Sequence, residues 1–330
     1  MDRSTFVGLL FAIAALTFIL NGLVIVHGLL NRRKFFTAYD TTLLFLMVFE
    51  FLQGVVGYPI ELLIDIEHGG FPCVLAGYLI TSLALASISL LVALALMRLI
   101  SVMYPFKSRL LLKSKKSSLY FIVPSTLYGF AWGTFPLLGW SEYSPELNGN
   151  KRCSVKLVGR DKNTLSYLYA LMISCYFIPL AVMCVSGFVI AKRLRKGIDG
   201  NNVTPEHTRK LRLRKERRTT LFLFVIIAAF LIAWTPYALM IFSISLGKSV
   251  TTIWLDYSSL LAKSSTFYNP LIYMIMQKRN SVGLFNFLTI KRTSSTHNRN
   301  IILPSRSNKI QGKRTNEHNS SQTLQNNIQL

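Results

Sequence analysis

The sequence predicts an all-α protein, a bundle of seven helices crossing a lipid bilayer with a short amphipathic helix after the last span. Three observations predict it. About half of the 330 residues are apolar (51%) and only 15% are charged. The apolar residues are gathered into long blocks, and the basic residues fall in alternate gaps between those blocks. The blocks cover 5–30, 41–64, 74–103, 118–139, 165–191, 219–246 and 253–276. At about 1.5 Å of rise per residue, each can cross roughly 30 Å of hydrocarbon as a helix.

Span 1 has almost no basic leader and lacks a clear small-residue cleavage site, so it reads as a retained helix rather than a signal that is removed. Arg32, Arg33 and Lys34 follow it, and Lys107, Arg109, Lys113, Lys115 and Lys116 follow span 3. The gap after span 5 is denser still, running from Lys192 to Arg218. Basic loops stay on the cytoplasmic side. Residues 1–4 are therefore expected outside the cell and the C-terminus inside. This topology explains much of the formal net charge of +23 without a nucleic-acid partner.

Residues 5–290 form one membrane domain, ending in "QKRNSVGLFNFL", which suits an amphipathic helix on the inner leaflet near 278–289. It holds no cysteine to carry a palmitate. Residues 291–330 are rich in Ser, Thr, Asn, Arg and Lys, a composition that predicts a disordered cytoplasmic tail. There is no metal-ligand cluster, nucleophile triad or Gly-rich phosphate loop in the sequence, and the five histidines are scattered. No catalytic residue and no metal site is expected. Cys73 and Cys153 lie at the outer face, in an oxidising compartment, while Cys175 and Cys184 sit inside span 5 as packing residues.

Polar and proline residues punctuate the spans in a fixed order. Asn21 stands in "ILNGLVI", Glu50 in "LMVFE", Pro179 in "CYFIPL", Trp234 and Pro236 in "AWTPY", and Asn269, Pro270 and Tyr273 in "NPLIY". The ordered set resembles the rhodopsin-like class of G-protein-coupled receptors over roughly residues 10–290. The resemblance implies a Cys73–Cys153 disulfide that pins the outer loop over the bundle. Proline kinks are expected in spans 5, 6 and 7, with Asn21, Glu50 and Asn269 clustered inside. Three positions depart from the class. Arg98 sits in "MRL", with Met97 and Leu99 where the class carries an acid and a tyrosine. Thr126 replaces the span 4 tryptophan, and Glu50 is one methylene longer than the usual aspartate. Glu216 matches the other partner of that arginine, so an Arg98–Glu216 pair is expected to hold the inner face closed.

One residue does not suit an ordinary span. A lysine at bilayer depth costs several kcal/mol, yet Lys263 sits in "LLAKSSTFYNPLIY", about ten residues and roughly 15 Å below the start of span 7. A lysine six residues before Asn269 resembles the opsins, where it binds retinal as a Schiff base. Only an amine condenses with an aldehyde, and an apolar pocket favours the free-base nucleophile. The buried cation that results needs an acid. Many vertebrate opsins carry a glutamate three residues after the span 3 cysteine, but here that residue is Ala76.

The remaining candidates are Glu61 in span 2, Asp256 in span 7, and Glu142 or Glu146 in the outer loop. Glu61 follows Glu50 by eleven residues, about three turns, and leans inward while Lys263 leans outward, so the two converge. Glu146 resembles the loop acid of many invertebrate opsins and is the main rival. Asp256 lies roughly 10 Å further out than Lys263 and is expected to be solvated. An acid in span 2 without one in span 3 is similar to the cnidarian opsins, such as those of box jellyfish, which raise cyclic AMP through a stimulatory G protein.

The resemblance thus implies a light sensor. 11-cis-Retinal is expected on Lys263, between spans 3, 5, 6 and 7, with Trp234 and Tyr237 against its polyene. Span 6 is expected to swing about Pro236 and open the inner face to a heterotrimeric G protein. Arrestin and a receptor kinase would act on tail residues such as Ser294, Ser295 and Thr296. Two alternatives stay open: a retinal photoisomerase, and a receptor for a diffusible ligand.

Overall fold

The structure, a computed structural model, describes residues 1–30, 37–63, 70–146, 152–157, 161–199 and 206–278. The surface helix expected near 278–289 and the tail expected from 291 lie outside the described residues, apart from the first residue of that helix. Span 1 is Arg3–Leu30. It begins inside the stretch expected as a tail because Asp2 caps it, accepting from the Thr5 N–H at 3.1 Å and the Thr5 hydroxyl at 2.7 Å. Span 2 runs through Ala38–Leu52, a π turn Gln53–Gly57 and Tyr58–Leu63. Span 3 is Gly70–Met103, and span 4 is Leu119–Thr134 with a 3-10 turn Phe135–Leu138 after it. Span 5 comprises Lys162–Met172, a second π turn Ile173–Phe177 and Ile178–Asp199. Span 6 is Glu206–Ser245 and span 7 is Thr252–Lys278.

The two π turns have one cause. Pro59 and Pro179 each follow a π turn by two residues, and a proline offers no N–H while its ring collides with the carbonyl four residues back. The wider turn relieves that collision: Tyr58 N–H reaches the Gln53 carbonyl and Ile178 N–H reaches that of Ile173, five residues back. The break expected at Pro179 therefore takes this form, and span 2 carries a matching one that the sequence reading did not anticipate. Pro236 and Pro270 lie inside continuous helices.

Six of these helices are long and apolar enough to cross a membrane by length and composition. Span 7 equals them in length, but its inward side carries buried Asp256, Ser258, Ser259, Ser264, Thr266 and Asn269. Its polarity faces protein, the only place a membrane helix can hold it cheaply.

Span 3 is the hub, packing on spans 2, 4 and 5. Spans 3 and 4 meet backbone to backbone, since a Cβ on Gly129 would lie 2.2 Å from the Ala86 nitrogen. At the outer end, β1 (Tyr143–Pro145) pairs antiparallel with β2 (Cys153–Val155), Pro145 facing Cys153. The Cys73–Cys153 disulfide ties this hairpin to span 3. The Tyr143 hydroxyl donates to the Gly133 carbonyl at 2.7 Å, and its ring occupies the space that Gly77 leaves open. Cys175 is free and buried, whereas Cys184 is free and exposed, so only the first is a packing residue.

Candidate functional site

Two acids on span 2 reach span 7. Lys263 Nζ donates to Glu61 Oε2, and Asn269 Nδ2 donates to Glu50 Oε1. The spacings explain how both contacts form. Eleven residues separate Glu50 from Glu61, about 16 Å of helix, while six separate Lys263 from Asn269, about 9 Å. The spans run antiparallel, so Glu61 leans inward, Lys263 leans outward, and their side chains close the remaining gap of about 7 Å. The Lys263 side chain is 13% exposed and that of Glu61 2%. With so little water around them, the two side chains satisfy each other rather than solvent. The Tyr58 ring lies 5.5 Å from Lys263 Nζ and adds a second favourable partner for a cation.

This pair stands on the wall of a cavity of about 130 Å³. Its lining is mostly apolar, with Leu85, Leu168 and Ile241 facing it from spans 3, 5 and 6. Trp234 and Tyr237 also line it, edge to face with ring centroids 6.4 Å apart. Span 2 contributes Tyr58 and Glu61, and the hairpin contributes Glu146 and Val155, so the enclosure is wider than the four spans expected from sequence. An apolar chamber with one amine on its wall and an acid already against that amine fits an elongated apolar aldehyde such as retinal.

The rival acids are engaged elsewhere. Continuing the hairpin register one step beyond Pro145 and Cys153 sets Glu146 opposite Arg152, and Glu146 N–H donates to the Arg152 carbonyl at 2.8 Å. The Arg152 guanidinium donates to the Glu146 carboxylate and, at 3.2 Å, to Asp256 Oδ1. Asp256 is 0% exposed. The expectation of a solvated aspartate is overturned, because the hairpin brings Arg152 over it and excludes water. Glu142 is the solvated acid, paired with Lys156 at 2.6 Å on the hairpin surface. Arg152 was missed by sequence reasoning, although Asn148-Gly149 between two short β-prone runs is a hairpin signal that brings the stretch before it, with Glu146, back beside the stretch after it, with Arg152.

Of the expected polar cluster, all three members are buried and Glu50 and Asn269 bond each other. Asn21 does not bond Glu50; it donates to the Thr17 and Thr266 carbonyls at 2.9 Å each, tying span 1 to span 7 one turn from Asn269. Near the inner face, the Arg98 guanidinium lies 3.6 Å over the Tyr39 ring, with Met97 fully buried beside it. Glu216 belongs to span 6, but its side chain is outside the described residues, as is any pairing it makes with Arg98. Pro270 is buried and Tyr273 packs on the main core.

Seven packed helices around a mostly apolar cavity define a heptahelical bundle. The profile of the 7 transmembrane receptor (rhodopsin family) matches residues 20–273, and the chain belongs to that family. Opsin-VA of Rutilus rutilus is 30% identical over 241 residues, 70% of this chain and 60% of that protein. The visual pigment-like receptor peropsin of Mus musculus is 24% identical over 274 residues, 81% of this chain and 79% of its own. The G0-coupled rhodopsin of Mizuhopecten yessoensis is 26% identical over 276 residues, 81% of this chain and 68% of its own. Squid rhodopsin has the same fold, with a TM-score of 0.73, 20% identity and 84% of each chain covered.

Proposed function

We propose that the protein is a light-sensing opsin in which Lys263 carries retinal and Glu61 is the counterion. The observation that carries this reading is the Lys263–Glu61 pair on the wall of an apolar chamber. Retinal, when bound, supplies an aldehyde carbon that takes the Lys263 nitrogen with loss of one water, and a polyene that goes from 11-cis to all-trans on absorbing light. Glu61 accepts from that nitrogen and keeps it protonated, because an opposite charge at contact distance offsets the cost of burial. Trp234 and Tyr237 wall the chamber on span 6, two residues before and one after Pro236, where a displaced side chain has most leverage on the helix.

Movement of span 6 exposes a basic cytoplasmic cleft to a heterotrimeric G protein, with Arg98 leaving its place over Tyr39. Glu61 together with Ala76 supports a likeness to cnidarian opsins and coupling to a stimulatory G protein. Basic alternate loops support a plasma-membrane receptor with its N-terminus outside, and the Ser/Thr-rich tail supports a receptor kinase and arrestin as partners. In this reading the protein is a receptor and not an enzyme. A diffusible ligand would have no use for a lysine buried against Glu61.

One observation favours a second reading, a retinal photoisomerase: Arg98 lies between Met97 and Leu99, without the acid that regulates G-protein contact in the receptor class. The test is nucleotide exchange on a purified heterotrimer, in the dark and after light, with the pigment in lipid. Light-dependent exchange supports the receptor. A bleachable pigment that drives no exchange with any heterotrimer class favours the photoisomerase.

A further inference from the structure

Arg152 is the least expected charge in the molecule. It is 1% exposed, on a loop hairpin, with the Phe6 ring 4.5 Å from its guanidinium. It bonds two acids at once, Glu146 across the hairpin and Asp256 on span 7. These are the two acids that compete with Glu61 for the cation on Lys263. Glu146 lines the same chamber as Lys263, and among the described residues lining it Lys263 is the only basic side chain. Without Arg152, the Glu146 carboxylate would lose its ionic partner and be left with that cation as the one basic group in the chamber it lines among the described residues.

We infer that Arg152 is a positioning residue that selects the counterion: by holding Glu146 and Asp256 in a separate ion cluster, it leaves Glu61 as the sole acid serving the Lys263 nitrogen. The inference rests on the opsin reading above. The disulfide fixes the selection in space, because Cys153, which follows Arg152 directly, is bonded to Cys73 on span 3. Among the described residues, the charged or titratable groups facing the cluster include Glu146 just after β1, Asp256 from span 7, the Met1 amine, 3.5 Å from Asp256, and Tyr237 from span 6. Glu61 and Tyr58 face the nitrogen from span 2.

The test titrates the visible band against pH in full-length protein regenerated with 11-cis-retinal. Glu61→Gln alone is expected to lose the band at neutral pH. Adding Arg152→Gln to it frees Glu146 and restores the band, with an apparent pKa about two units higher than in Glu61→Gln. Adding Glu146→Gln as a third change removes the band again. A Glu61→Gln/Arg152→Gln pigment that stays in the ultraviolet overturns the inference. Glu146→Gln alone decides the matter even if Arg152 variants do not assemble: with Arg152 in place, the pigment's pKa and maximum should not move, and a fall of about two units contradicts the inference. Failure of the parent reading looks different. In that case wild type forms no pigment, or Glu61→Gln alone stays visible, and the role of Arg152 falls with it.

Discussion

The Tyr58 hydroxyl donates to the backbone carbonyl of Lys263 at 3.2 Å. The bond holds the lysine's own turn of span 7 against span 2, just beyond the π turn at Gln53–Gly57. Tyr58→Phe keeps the ring under the ammonium and removes only the hydroxyl, which also bonds the Thr266 side chain, so a pigment should still form. Its thermal decay in the dark should speed up by roughly fivefold or more, the equivalent of about 1 kcal/mol for each buried hydrogen bond lost. Following the loss of the visible band at fixed temperature checks it.

The contact of spans 3 and 4 allows a sharp comparison of two glycines. A Cβ at Gly129 would lie 2.2 Å from a backbone nitrogen that cannot move aside, whereas at Gly8 it would meet nothing within 4 Å. Gly129→Ala should destabilise the protein by about 3 kcal/mol or more, enough to lower the yield of folded protein severely. Gly8→Ala should melt like wild type, and thermal melting in detergent compares the two.

Arg98 over Tyr39 takes the place of the acidic neighbour that Met97 does not supply. Tyr39→Ala removes a cation–π contact worth about 1 kcal/mol, which should raise retinal-free G-protein activation roughly fivefold. Met97→Glu gives Arg98 an ionic partner and should lower the same basal signal. A basal nucleotide-exchange assay reads both variants.

Span 5 starts on Asp161, which accepts from the Thr164 N–H at 2.9 Å. That backbone bond holds the Asp161 carboxyl below its usual range. A carboxyl depressed by folding stabilises the protein above its unfolded pKa, and the contribution is lost as pH falls through the lower, folded value. Asp161→Ala should therefore lower the melting temperature at neutral pH, and the gap from wild type should close as the carboxyl protonates in acid. Asp161→Asn keeps a capping oxygen and should show no such acid dependence.

Much of this arrangement is legible in the sequence, for a physical reason. Apolar blocks must be helical to satisfy their backbones in lipid, so span positions follow from hydropathy, and the Lys263–Glu61 contact follows from helical rise and side-chain lean. Rise arithmetic assumes a regular helix, however, and so misses the turn at Pro59. What local sequence could not supply was the neighbourhood of Asp256. Its burial depends on where the hairpin lands, which is set by the disulfide and by Tyr143 over Gly77. Arg98 over Tyr39 was hidden likewise, since it joins two spans through a side chain that no periodicity marks.

The most direct measurement is the dark-minus-light absorption spectrum of the purified protein after incubation with 11-cis-retinal, run beside Lys263→Ala and Glu61→Gln. The pairing of Lys263 with Glu61 predicts a light-sensitive visible band in wild type, no band in the alanine variant, and a band moved to the ultraviolet at neutral pH in the glutamine variant. A wild-type protein that takes up no retinal, or a Glu61→Gln pigment that stays visible, would contradict it.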